Sequence, residues 1–374
     1  MNSFILKISE IFYRFTLRPI LFLNDSEKIH KSAVALGEFL GKQRFIKFLL
    51  KSVFGNKNQG LDQNFYGIKF ISPIGLAAGF DYEARLIHIL PAIGFSFGTV
   101  GTITNKPYEG NALPRLGRLI KSRSLLVNKG FKNLGIKATL EKLRNCKFEI
   151  PIGISIGKTN TKEIMTQKDA IQDIVGSFSA IESSGVPFNY YELNISCPNL
   201  YGDVEFYTPT HLRDLLTDIT GLGLSKPLFI KMPINKSDEE TRVMLDIIIA
   251  YPIQGVIFGN LQKNRQDPSI NQEEVKKYSQ GNFSGKPTEK RSNELISLAY
   301  KNHGDKLTII GCGGVFSAED AYKKIKLGAS LIQLITGLVY VGPQLPAQIN
   351  SGLPRLLKKD GFSHISQAIG SAKD

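Results

Sequence analysis

Eight short apolar, β-rich runs recur along this chain, and no other feature restricts its fold so strongly. They are 73–78 (PIGLAA), 97–103 (FGTVGTI), 150–157 (IPIGISIG), 190–196 (YYELNIS), 228–234 (LFIKMPI), 255–260 (GVIFGN), 307–314 (LTIIGCGG) and 331–337 (LIQLITG). Segments of helical character separate most of them, such as 163–184, 209–221, 237–250, 288–302 and 317–327. Strands buried on both faces read as continuous apolar runs, and parallel neighbours need a long crossover, usually a helix. Eight strands alternating with helices over roughly 270 residues predict an α/β fold, a (β/α)8 barrel. The alternative, a doubly wound open sheet, lacks the expected GxGxxG after a first strand. Two intervals are unusually long: the one following the second run, to about Lys132, and Leu261 to Phe283. Loops of such length in a compact barrel are usually lids or binding loops.

Residues 1–60 stand outside this rhythm and form an expected N-terminal helical extension to a barrel over 61–374. Phe4, Ile8, Ile11, Phe12 and Phe15 recur at helical spacing, with Lys7, Glu10 and Arg14 on the opposite side. Pro19 is expected to end that helix. Asn24 or Asp25 is placed to cap a second one carrying Ile29, Ala33, Leu36 and Leu40, and a third runs from Phe45 to Phe54. The extension holds ten Lys and Arg against four Asp and Glu, within a chain of formal charge +14. Basic amphipathic helices suit a membrane surface, and a helical cap docked on the barrel fits the same pattern. No apolar run approaches the length of a transmembrane span, and no signal peptide is read. Three widely spaced cysteines argue against a disulfide framework, and no metal-ligand spacing occurs.

Chemistry concentrates at the ends of the runs. Tyr191 to Ile195 leads into Ser196, Cys197, Pro198 and Asn199, with Asn194 just before the break. Amides there can read a planar polar ligand, and a thiol can exchange a proton or act as a nucleophile. Asn128, Asn194, Asn199 and Asn260 all lie at or just past strand ends; turn chemistry accounts for any single one, but the recurrence points to a site. Lys231 closes the fifth run, where burial requires an anionic partner and suits a cofactor that gains negative charge on reduction. Gly311 to Gly314 and Ile335 to Gly337 sit where such barrels hold phosphate, with Ser284 to Pro287 nearby.

The stretches AAGFD (77–81), GTIT (101–104), EGNALPRLGRL (109–119), LNISCPN (193–199), SGKP (284–287), IIGCGG (309–314) and GASLIQLITG (328–337) resemble dihydroorotate dehydrogenase, most closely its quinone-dependent class. The resemblance implies a noncovalent FMN on Ala78, Gly79, Tyr82, Thr102, Ser155, Asn194, Lys231, Gly259, Gly285, Gly314, Ile335 and Thr336. It places Asn128, Asn194, Asn199 and Asn260 on the substrate, and Cys197 on the base that removes the C5 proton of dihydroorotate. The partners implied are dihydroorotate, orotate and a quinone, with no metal and no nucleic acid. The N-terminal helices are implied to form a lid associated peripherally with the cytoplasmic face of the inner membrane; the alternative is a cytoplasmic enzyme with a soluble acceptor.

Three residues depart from the pattern. The quinone-dependent class carries serine as base, whereas Cys197 is the habit of the soluble classes. Tyr82 stands where a lysine usually follows AAGFD, which makes Lys129 a candidate to supply that charge. Leu261 stands where threonine or serine follows the substrate asparagine. The competing readings are a tRNA-dihydrouridine synthase, another flavin barrel with a cysteine before proline, and a non-enzymatic membrane-binding barrel.

Overall fold

The computed structural model describes residues 2–55, 58–196 and 204–372. At its centre is a closed barrel of eight parallel strands: β1 (Ile74–Leu76), β2 (Phe97–Ile103), β3 (Ile152–Ile156), β4 (Tyr190–Asn194), β5 (Leu228–Lys231), β6 (Gly255–Phe258), β7 (Thr308–Cys312) and β8 (Leu331–Leu334). Each strand pairs with the next in sequence, and β8 closes on β1 through Ile332↔Ile74 and Leu334↔Leu76. Every predicted run holds one strand. The runs read as solidly apolar because outward residues such as Tyr191 and Leu193 pack under the helices while inward ones fill the barrel.

The five predicted helices form within a few residues of their expected bounds, and their caps explain where they start. Thr166, Thr208, Ser237 and Ser317 each accept a backbone N–H of the first turn. Leu212, Leu215, Leu216 and Ile219 then fall on one buried face, as the 3.6-residue period dictates.

The barrel interior is layered. At the strand starts Phe97, Tyr190, Phe229 and Leu331 pack with Ile68 and Phe70, which belong to an antiparallel hairpin, Gln63–Phe65 with Ile68–Phe70, that plugs this end. Above them Thr99 and Gln333 both donate to Glu192 Oε1, at 2.6 Å each. The top layer carries Ser155, Asn194 and Lys231.

The two long intervals turn out to be one element. Leu116–Leu119 and Ser124–Val127 from the first, with Asn282–Phe283 from the second, make a three-stranded antiparallel sheet. It is fastened to the barrel by Tyr340, whose hydroxyl donates to Leu119 O at 3.0 Å and Ser124 O at 2.7 Å.

The extension forms α1 (Asn2–Phe12), α2 (Arg18–Phe22), α3 (Ser26–Lys42) and α4 (Arg44–Phe54). Asp25 caps α3, as one of the two expected residues. Pro19 does not end the first helix. A wider π turn, Tyr13–Leu17, carries the chain into α2, where Pro19 sits in the first turn and its missing N–H is least costly. The helices dock on the barrel through Tyr13, which donates to Val339 O at 2.8 Å, and Arg18, which donates to Tyr340 O at 2.8 Å. Arg118 of the small sheet donates to Asn24 O at 2.8 Å and lies over the Phe22 ring.

Candidate active site

The C-terminal ends of the strands meet in a continuous polar chain. Ser155 and Thr102 hydroxyls are 3.0 Å apart, and Asn194 Nδ2 donates to Thr102 Oγ1 at 2.9 Å. The Asn194 amide oxygen accepts from Ser196 N at 3.2 Å and from its hydroxyl at 3.0 Å, and Asn260 Nδ2 donates to Ser196 Oγ. These bonds spend the Asn194 carbonyl on its own turn and tie Ser196, just past the end of β4, to Asn260, just past the end of β6. Lys231 lies opposite Asn194 in register on β5 and is 5% exposed. Below it, burial holds the Glu192 carboxyl above the usual carboxylate range, and the Lys231 charge pulls the other way.

One cavity of about 580 Å³ covers this floor and extends beneath the lid helices. Ala78, Gly79, Tyr82, Thr102, Asn194, Lys231, Gly259, Asn260, Gly285, Gly314, Ile335 and Thr336 all line it. Ser155 does not; it supports Thr102 from behind. Nor does Asn128, which is buried and accepts from Asn111 Nδ2 at 3.0 Å. Cys197 and Asn199 lie outside the described residues.

The floor has the room and the polar groups that a flat, phosphate-bearing flavin cofactor would need. Gly79 has φ +110°, and a Cβ there would meet only Ile335 Cδ1, at 3.6 Å, so the absent side chain leaves room for a flat group. Gly285 has φ +77°, and a Cβ would lie 2.7 Å from Thr336 Cγ2. Its backbone therefore packs against the Thr336 methyl, and the Thr336 hydroxyl is 2.8 Å from that of Ser284. Hydroxyls and glycine backbone at the β7 and β8 loops would hold the phosphate, and Lys231, Asn194 and Thr102 the polar ring edge.

Above the floor the lid contributes groups that sequence reasoning missed. His30 of α3 stacks on Tyr82 at 5.7 Å and meets the Phe80 ring edge-on at 4.9 Å. Burial, reinforced by the charge of Lys129, holds its pKa down at about 3, so the ring is neutral. Lys129 Nζ lies 4.3 Å from the centre of the Tyr82 ring. Burial depresses its pKa to about 8, against the opposing pull of Glu27. Glu27, in the first turn of α3, is buried with Arg115 Nη1 3.5 Å away. The available signal was a charged or ionisable residue set in an apolar stripe, as His30 is beside Ile29 and Ala33, and Glu192 is between Tyr191 and Leu193.

The family model described as dihydroorotate dehydrogenase matches residues 60–357. Among curated relatives, a dihydroorotate dehydrogenase (quinone) from Trichodesmium erythraeum is 34% identical over 96% of this chain and 98% of its own length. One from Christiangramia forsetii is 36% identical over 90% of this chain and 97% of its own. A crystal structure of DHODH in complex with ferulenol from Eimeria tenella superposes with a TM-score of 0.77 at 25% identity, covering 93% of this chain and 95% of that one. The barrel, the polar strand ends and these likenesses agree: the chain belongs to the dihydroorotate dehydrogenase family.

Proposed function

We propose that this chain oxidises dihydroorotate to orotate with FMN at the barrel mouth and passes the electrons to a quinone. The observation that carries the reading is the continuity of this cavity, polar at its floor through Asn194, Asn260 and Lys231 and apolar where Leu17, Leu21, Ile29 and Leu40 of the lid enclose it. A small polar substrate fits the first end and an isoprenoid-bearing ring the second. The curated relatives carry quinone in their names, which supports that acceptor.

Bound FMN supplies the hydride acceptor. The residues do the rest. Asn194 and Asn260, held by Ser196, orient the substrate, with Asn128 and Asn199 as further proposed contacts. Cys197 is the proposed base for the C5 proton, and a thiol reaches its anionic form nearer neutral pH than a hydroxyl does. Lys231 places positive charge where negative charge accumulates. The lid excludes water from the floor.

The region 1–60 is proposed as a unit that rests on an anionic membrane surface. Phe4, Phe15, Phe45 and Phe48 are each about 70% exposed on its outer side and Leu23 is 88% exposed. No helix among the described residues is long and apolar enough to cross a membrane.

Purified protein should carry a visible flavin band that anaerobic dihydroorotate bleaches, and re-oxidation should be fastest with a quinone. A bound flavin indifferent to dihydroorotate would overturn the reading. Faster re-oxidation by fumarate or NAD would reassign the acceptor alone.

A further inference from the structure

The Lys129 ammonium is 4.3 Å from the Tyr82 ring centre, yet among the described residues it has no hydrogen-bond partner. Lys129 is 9% exposed and lines the cavity alongside Asn194, Asn260 and Lys231. A buried ammonium without an acceptor is costly, and the face of one tyrosine offsets only part of that cost. The charges facing it are unbalanced. Lys31 of the lid, Arg115 and Lys132 add positive potential, while Glu27 is the one carboxylate among the main influences on it. Glu27 is itself shared with Arg115, 3.5 Å away. The neutral ring of His30 stacks on Tyr82 and contributes no charge of its own. This end of the cavity therefore carries surplus positive charge inside a low-dielectric wall, the setting in which a carboxylate gains most from pairing.

From this arrangement we infer that Lys129 is the cation that receives the carboxylate of the substrate, with Tyr82 as the surface that positions its ammonium. The inference rests on the proposed reading of the site as one for dihydroorotate and orotate, and deepens it. Glu27 is then a competitor for the same ammonium rather than its purpose. If Lys129 existed to hold the lid through Glu27, neutralising either residue would have the same effect on ligand binding. If it receives the substrate, the two changes act in opposite directions.

The test is equilibrium binding of orotate to the flavin-loaded protein by calorimetry, between pH 6.5 and 9.5. At pH 6.5 Lys129→Met should weaken binding by about 30-fold or more, whereas Glu27→Gln should leave it unchanged or tighten it. Above pH 8 the free ammonium of the wild type begins to lose its proton, so its Kd should climb by up to about tenfold per pH unit. Lys129→Arg keeps the charge without that titration and should be flatter with pH than the wild type. Should Lys129→Met fail to retain flavin, the difference in pH profile between wild type and Lys129→Arg still decides the matter. Equal binding by Lys129→Met and wild type, parallel profiles for wild type and Lys129→Arg, or equal weakening by Glu27→Gln would each overturn the proposal alone. A wild type that binds no orotate would overturn the functional reading and this inference with it.

Discussion

At the scale of single residues, the site separates holding from reacting. Asn194 is tied on both sides, donating to Thr102 and accepting from Ser196, so its orientation is fixed before any ligand arrives. Such fixed dipoles act without reorganising during the reaction. The reacting group proposed, Cys197, differs from this frame, because its contribution depends on ionisation. Cys197→Ala should therefore keep its flavin while flavin reduction by dihydroorotate slows by about 10²–10⁴-fold in stopped-flow absorbance. Cys197→Ser should shift the pH profile of that step to higher pH, since a hydroxyl loses its proton less readily. Near wild-type reduction by the alanine variant at neutral pH would remove Cys197 from the mechanism.

At the scale of elements, the lid is held over the floor by groups whose protonation matters. His30 is partly buried and neutral, bonded to the Phe80 backbone and stacked on Tyr82, with Lys129 as the charge that acts on it. Its folded pKa of about 3 lies below the unperturbed 6.5, so a released lid binds the proton more readily than a docked one. Docking stability from this residue is thus fully present above pH 6.5 and is lost as pH falls toward 3. At pH 5 the loss is about 2 kcal/mol. Hydrogen exchange across α1–α4 should accelerate on going from pH 7 to pH 5 by more than the intrinsic rate change accounts for, and His30→Phe should abolish the excess. An excess that persists in His30→Phe would assign the loosening to other groups. None of this was readable beforehand, because a histidine in an apolar stripe shows its burial only when the opposite face is known. The barrel was readable for the converse reason: strands covered on both faces leave solid apolar runs, and the helices between them leave segments long enough to show their own period. The hairpin Gln63–Phe65 with Ile68–Phe70 and the sheet built on Asn282–Phe283 escaped because strands of two to four residues are too short to show a period. Lys231, Asn194 and Asn260 were legible from their place at strand ends. Glu27 and Arg115 were not, since only the docking of α3 brings them together.

At the scale of the whole molecule, the chain presents two unlike surfaces. The barrel is closed, with its strands paired to one another and its lower mouth plugged, so it is expected to fold without the extension, although Val34, Phe22, Leu40 and Leu50 of the extension pack against its core. The extension buries little of its own; among the described residues Leu6 and Val34 are its buried apolar side chains, while Phe4, Phe15, Leu23, Phe45 and Phe48 are exposed. A monomer rarely leaves so many large apolar groups in one region without a partner surface. An excess of six basic residues over acidic ones within 1–60 accompanies them. Each Lys or Arg near an anionic bilayer contributes about 1 kcal/mol, and the aromatic groups add burial at the acyl boundary. Removing residues 1–55 should therefore abolish co-sedimentation with vesicles containing anionic lipid. It should also sharply lower turnover with a long-chain quinone, since the apolar half of the cavity is built from the lid. Flavin should remain bound and reducible by dihydroorotate, and a small soluble dye should still accept its electrons. A truncated protein that uses the long-chain quinone as well as the full chain does would make the extension a structural cap, and the cysteine at position 197 would then point to a soluble acceptor.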